Sequence, residues 1–149
     1  QFYVGTRAVV DTAKAQAFYA TNLPKALEAL KKAELKPSSA PSGLYWTWAN
    51  TSDMAAAIAI DKEQKFDSLE VFRLDSSRAL VINYLGAYGG MGEAHMAMED
   101  YMKKFNLENI PPAIEEYVTD PATEPDTTKW LTKVIYMVKP KVDAASMKK

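Results

Sequence analysis

The chain has 149 residues, 48% of them apolar and 25% charged, with a formal net charge of −1, the size and balance of one globular domain. With no basic excess to neutralise phosphates, nucleic-acid binding by this chain is not expected, and no apolar run approaches the length that spans a bilayer. Cysteine is absent and His95 is the sole histidine, which excludes disulfides, thiolate chemistry and histidine-rich metal sites, and makes a Ser-His-Asp triad improbable.

FYVGTRAVV (2–10) is rich in β-formers and reads as a strand. Over 13–35, Phe18, Leu23, Leu27 and Leu30 recur at helical spacing. Pro24 falls inside that pattern, where a kink or a fresh start is expected. LKPSSAPSG (35–43) breaks the helix. GLYWTWAN (43–50) predicts an aromatic strand, with TSDMAAAIAI (51–60) as its hairpin partner. DKEQKFDS (61–68) is a charged loop. LEVFRL (69–74) and ALVINYL (79–85) predict two more strands, the first a connector or an edge. Four glycines in GAYGGMG (86–92) allow a tight turn into a helix over 93–105. Its stripe is Met91, Ala94, Met98, Met102 and Phe105. Two prolines (111–112) end the next link. AIEEYVTD (113–120) and KWLTKVIYMV (129–138) predict the last strands, around the loop PATEPDTT, and 141–149 is a polar tail.

The order yields an α+β class: two β-α-β-β units, about 1–65 and 66–140, in one mostly antiparallel sheet with both helices on one face. Such a sheet leaves its other face free. The segment 69–74 sits outside the repeat.

Glu115 and Glu116 are adjacent on a strand, so their side chains point to opposite faces. Ile114 and Val118 suit the helix-covered face, which leaves Glu115 and Tyr117 on the free one. The plainer reading of Glu115 is a solvated strand glutamate. The functional reading is a carboxylate at the floor of an aromatic cleft, which needs a cation or hydrogen bonds to offset its desolvation. Tyr45, Trp46, Trp48, Tyr88, Tyr117 and Trp130 are the candidate walls. Single strand aromatics usually serve packing, but so many with one polar end suggest a lined cleft. Tyr45 and Trp46 are neighbours and cannot both point inward. GAYGGMGEAH lacks the spacing of a nucleotide loop. His95, beside the apolar stripe of its helix, reads as a packing or capping residue.

With these residues in place, the chain resembles the GyrI-like small-molecule-binding domain, the effector-binding module of multidrug-sensing transcription activators. The resemblance is carried by LKPSSAPSGLYWTW (35–48), DMAAAIAI (53–60), YLGAYGGMGEAH (84–95) and, most specifically, EEYVTDPATEPDTTKWLTKVIY (115–136). It implies a pseudo-twofold repeat of β-α-β-β units with two helices on one face and a ligand cleft on the other. It further implies that Glu115 is the family's acidic residue, with Tyr117, Trp130 and Tyr88 beside it. No helix-turn-helix segment accompanies the domain here, so DNA binding and transcription activation do not carry over.

The expected function is that of a binding domain holding a lipophilic, cationic or planar small molecule around Glu115, with no cofactor and no metal. A hydrolase of strained electrophiles, with Glu115 as general base, is the alternative. A protein-interaction or inhibitor domain is a third reading. Haem binding, suggested by the SOUL-like fold, is set aside because His95 falls on the helix side. No signal-peptide pattern is present and the expected compartment is the cytoplasm. The chain starts at Gln1 rather than Met, so a covalently linked domain outside it stays open as a partner.

Overall fold

The protein was analysed as a computed structural model that describes residues 1–75 and 77–141. Seven strands, β1 (Phe2–Asp11), β2 (Ser42–Tyr45), β3 (Thr51–Ile60), β4 (Glu70–Arg73), β5 (Arg78–Leu85), β6 (Leu107–Tyr117) and β7 (Leu131–Pro140), flank two helices, α1 (Ala15–Lys32) and α2 (Met91–Lys104). The strands form one antiparallel sheet in the order β4-β1-β3-β2-β6-β7-β5. The units β1-α1-β2-β3 and β5-α2-β6-β7 therefore meet at the β2–β6 pair, and β4 is an added edge strand beside β1.

Local chemistry sets the helix limits. Asp11 accepts a hydrogen bond from the Ala13 amide at 3.0 Å and caps the short turn that leads into α1. Glu34 at φ 58° and Asn106 at φ 53° take the left-handed conformation that ends the two helices. Asn22, Ala26 and Leu30 are the buried stripe of α1, and Met91, Ala94, Met98 and Met102 that of α2. Two expected stripe members face water instead: Leu27 is 42% and Phe105 52% exposed. Alanine at position 26 lets α1 lie close to the sheet, which turns Leu27 outward. Pro24 lies within α1, which runs on past it to Lys32.

Both helices cover the same sheet face. α1 packs on Val4, Ile58 and Ile60, and α2 on Ala113, Val134, Tyr136 and Val138. The opposite face is filled by strand side chains, among them Tyr3, Leu44, Ala55, Ala57, Ala59, Phe72 and Ile114. These are nearly buried with no helix over them. The Trp46 and Phe72 ring centroids are 5.5 Å apart although β2 and β4 are separated by two strands. Neighbouring strands lie about 4.8 Å apart, so this contact requires the sheet to curl over its helix-free side. The run of alanines in β3 leaves room for that curl.

Three strand expectations are corrected. β2 stops at Tyr45, and 46–50 is a loop, because the Asp53 amide donates to the Thr47 hydroxyl at 3.1 Å rather than back across the ladder, and the Trp46 and Thr47 amides both point at the Asp53 carbonyl. β6 starts at Leu107 and runs through the two prolines, with a register shift between Ile110 and Ile114; an irregular ladder tolerates their missing N–H groups. The faces of β6 are also the reverse of those expected. Ile114 packs on the helix-free side, and Glu116 accepts from the Ala40 amide at 3.2 Å. Ala113 and Glu115 lie under the helices. Both faces of this sheet are covered, so hydrophobicity does not tell them apart. Residues 142–149, the bulk of the expected polar tail, lie outside the described residues.

Candidate functional site

One row of cross-strand neighbours sets up the centre of the sheet: Thr6, Ala56, Gly43, Glu115, Val134 and Ile82. Glu115 is thus placed at the junction of the two units, opposite a glycine. A Cβ at Gly43 would lie 2.1 Å from the Tyr19 hydroxyl and 2.9 Å from that of Tyr117. The missing side chain is what admits these phenols beside the carboxylate.

Glu115 is only 8% exposed. The Tyr117 hydroxyl donates to its Oε1 at 2.7 Å, and His95 Nε2 meets its Oε2 at 2.6 Å. His95 Nδ1 lies 2.6 Å from the Tyr136 hydroxyl. The Tyr117 and Tyr19 hydroxyls are 3.0 Å apart, and Tyr19 is hydrogen-bonded to Tyr45. The single hydrogen of Tyr117 goes to the carboxylate, so Tyr19 donates to Tyr117. The result is one continuous chain: Tyr45, Tyr19, Tyr117, Glu115, His95 and Tyr136. α1 contributes Tyr19 and α2 contributes His95, so the cluster lies between the helices.

The phenols are tuned to stay neutral. Burial, and then the charge of Glu115, push Tyr45 up to about 12. Tyr19 and Tyr117 are held well above the ordinary phenol value, first by burial and then by a neighbouring tyrosine. Tyr136 is raised by burial, then by Glu99 and Glu115. All four are hydrogen-bond donors rather than charges across the neutral range. Among the described residues, the only ion pair of Glu115 is with His95; no Lys or Arg is paired with it. A carboxylate at this depth is costly to desolvate, and two short hydrogen bonds offset part of that cost.

Aromatic faces enclose the cluster. Tyr88 packs between Tyr117 and Trp130, with centroids at 5.5 and 5.1 Å, and Trp130 Nε1 donates to the Glu124 carbonyl at 2.8 Å. Trp48, 41% exposed at the rim, lies 6.1 Å from His95 and 6.0 Å from Tyr136. Two open hollows, of about 540 Å³ beside Lys25, Lys32 and Phe66 and about 300 Å³ beside Arg73 and Pro111, lie elsewhere. Neither is lined by a buried polar side chain. Among the described residues no group of three or more His, Asp or Glu side chains is placed to hold a metal ion. No described helix is long and apolar enough to cross a membrane.

Of the residues singled out in the sequence, the fold brings together Glu115, Tyr117, Tyr88, Trp130, Tyr45 and Trp48. Trp46 is elsewhere: on the helix-free face, under the Arg7 guanidinium at 3.7 Å and against Phe72. Glu115 and its aromatic neighbours lie on the helix-covered side of the sheet, the opposite side from that expected, and strand side chains fill the helix-free face. On a continuous strand Trp46 and Trp48, two residues apart, would share a face. They part because the strand ends between Tyr45 and Trp46. Four residues of the cluster were not anticipated: Gly43, Tyr19, Tyr136 and His95. Tyr136 was open to inference, since it alternates with Val134 and Val138. Tyr19 and His95 were not, because each depends on how a helix is seated.

No family model matches the sequence and no curated protein matches it. Solved structures do resemble it. The EcmrR C-terminal domain superposes with a TM-score of 0.79 at 16% identity, over 95% of this chain and 92% of that one. EcmrR in its DNA complex gives 0.78, and this chain spans 54% of that longer one. SAV2435 bound to tetraphenylphosphonium gives 0.63 at 19% identity, over 93% and 88%. A hydrolase from Listeria innocua gives 0.58 at 12% identity, over 93% and 87%. At these identities the likeness is one of fold, and the fold is the GyrI-like one.

Proposed function

We propose that the chain is a small-molecule-binding domain that takes lipophilic cations at Glu115. The observation that carries this reading is the buried carboxylate, hydrogen-bonded by Tyr117 and His95, unpaired with any described Lys or Arg, and walled by Tyr88, Trp130, Tyr117 and Trp48. A delocalised cation is attracted by aromatic faces and by the negative charge beneath them, and it loses little hydration on entry. The tetraphenylphosphonium complex of SAV2435 on the same fold supports the choice of ligand class. Trp48 and Trp130 flank the site, so tryptophan fluorescence reports binding. Titration with tetraphenylphosphonium is expected to quench it saturably, and Glu115→Gln to weaken binding at least tenfold. Equal affinity in the two proteins would overturn the reading. A role in DNA binding would belong to a linked segment, as the net charge of −1 gives this chain no basic excess.

A second reading is a hydrolase. It is favoured by the 2.6 Å contact between Glu115 and His95, an acid–base pair able to take a proton from water. Turnover of a bound electrophile, lost in Glu115→Gln with affinity retained, would select it.

A further inference from the structure

The charge of a ligand would not be the first to face Glu115, because His95 already does so. Its ring is held at both nitrogens, 2.6 Å from the Glu115 carboxylate and 2.6 Å from the Tyr136 hydroxyl. The neutral ring satisfies every partner: the Tyr136 hydroxyl donates to Nδ1, and Nε2–H donates to Glu115. A second proton on the ring reverses the Tyr136 bond. Nδ1–H then donates to the phenol oxygen, whose own hydrogen has no other acceptor among the described residues.

The groups around the ring can be counted by element. β6 presents Glu115 and Tyr117, β7 presents Tyr136, and the Tyr19–Tyr45 pair of α1 and β2 lies behind Tyr117. From α2 itself comes Glu99, one turn on and exposed. Trp48 closes the rim and is uncharged. The phenols stay neutral, so the charge of the cluster is set by Glu115, His95 and, at its edge, Glu99. The Glu115–His95 pair has two states: a net charge of −1 with the ring neutral, and zero with the ring protonated.

We propose that His95 is the specificity-determining residue of this site, a resident counter-charge that makes a monocation and a proton compete for the same carboxylate. This rests on the reading of Glu115 as a cation site. When the cation enters, one N–H bond of the imidazolium breaks and its proton passes to water. Charge is conserved, and no other covalent bond changes. With the ring neutral the carboxylate is available to a cation, while neutral ligands of the same shape gain nothing from either state. His95 thus selects permanently charged ligands, and does so increasingly as its ring loses the second proton.

The test uses the whole chain and tetraphenylphosphonium. Calorimetry in two buffers of different protonation heat is expected to show release of up to about one proton per cation, more at acid than at alkaline pH. The dissociation constant should weaken as pH is lowered, by up to about tenfold per pH unit where one proton is released, and His95→Gln should flatten that profile. The same slope in His95→Gln would overturn the proposal. Since the chain has a single histidine, the wild-type ring can also be followed directly by NMR. Saturating cation is expected to move its titration midpoint at least about one unit to lower pH. A midpoint unmoved by bound cation would overturn the proposal even if the variant fails to fold. Absence of binding at every pH would instead overturn the cation site itself, and this inference with it. A histidine that served packing alone would lower the melting temperature without any proton release.

Discussion

The hydroxyl groups of Tyr19 and Tyr117 lie 3.0 Å apart, although the residues are separated by 98 positions in the chain. Tyr19 belongs to the helix of the first unit and Tyr117 to a strand of the second. Their contact, extended through Glu115 to His95, fastens the two units across the central strand pair. The polar cluster is therefore a structural joint as well as a candidate binding site, and substitutions in it are expected to register in stability.

Tyr117→Phe removes the donor to Glu115 Oε1 and leaves a buried carboxylate oxygen short of a partner. The expected loss is about 1–3 kcal/mol, read as a lower urea midpoint with an unchanged slope. An unshifted midpoint would mean that the carboxylate finds another partner.

Gly43→Ala places a methyl group 2.1 Å from the Tyr19 hydroxyl. Overpacking of this kind costs roughly 1–3 kcal/mol. Adding Tyr19→Phe deletes the clashing oxygen and is expected to recover much of the loss. A double-mutant cycle with no coupling would show that the backbone, rather than the phenol, yields.

Thr132 is fully buried on β7 next to Tyr117, and its Oγ1 has no hydrogen-bond partner among the described residues. Thr132→Val keeps the branched shape and deletes the unpaired hydroxyl. It is expected to raise stability by about 1 kcal/mol, measured by chemical unfolding; a loss instead would reveal a bond that the hydroxyl makes in solution.

Alkaline behaviour follows from the raised phenols. A phenol whose folded value exceeds the unfolded one binds its proton more tightly when folded. Its contribution is complete below the unfolded value of about 10 and is lost as pH rises through the folded value. Tyr19, Tyr45, Tyr117 and Tyr136 all act in this direction. The melting temperature should fall above about pH 10, and tyrosinate absorbance at 295 nm should appear in two stages, the later one with unfolding. A single early stage would contradict the burial of the cluster.

The acid side is set on the other face. Two hydrogen bonds from Arg7, at 2.9 and 2.8 Å, hold the Asp53 carboxyl below its usual range. A depressed carboxyl stabilises the fold above its unfolded value of about 4, and the contribution is lost as pH falls through the folded value. Arg7→Gln should flatten that part of the profile. It should also loosen Trp46, which stacks under the guanidinium, and so shift its fluorescence. An unchanged acid limb would show that Asp53 is paired in the unfolded chain as well.

Strand and helix periodicity made most of the architecture legible. Met91, Ala94, Met98 and Met102 were placed from spacing alone, as was the equivalence of the two units. The orientation of β6 was not. Deciding which of Glu115 and Glu116 faces the helices needs one side of the sheet to be visibly wetter, and in this curled sheet both Ile114 and Ala113 are buried. The aromatic residues near Glu115 were legible as a set because they lie on strands or in the short turns that adjoin them. Trp46 was misplaced because a loop begins one residue after Tyr45. His95 gave no signal beyond its rarity, since its partners Glu115 and Tyr136 come from strands far along the chain.

The pairing of Gly43 with Glu115 has a consequence for symmetry. Asn22, Ala26 and Leu30 of α1 recur as Ala94, Met98 and Met102 of α2 after one constant step along the chain, and the same step carries Gly43 to Glu115. The two residues are therefore equivalent positions, facing each other across the pseudo-dyad. Had the repeats stayed identical there, two glutamates would repel at the axis or two glycines would leave it empty. Divergence at this single pair gives the dyad one carboxylate, with phenols on one flank and an imidazole on the other. A guest seated on that axis meets two unlike halves and has one preferred orientation.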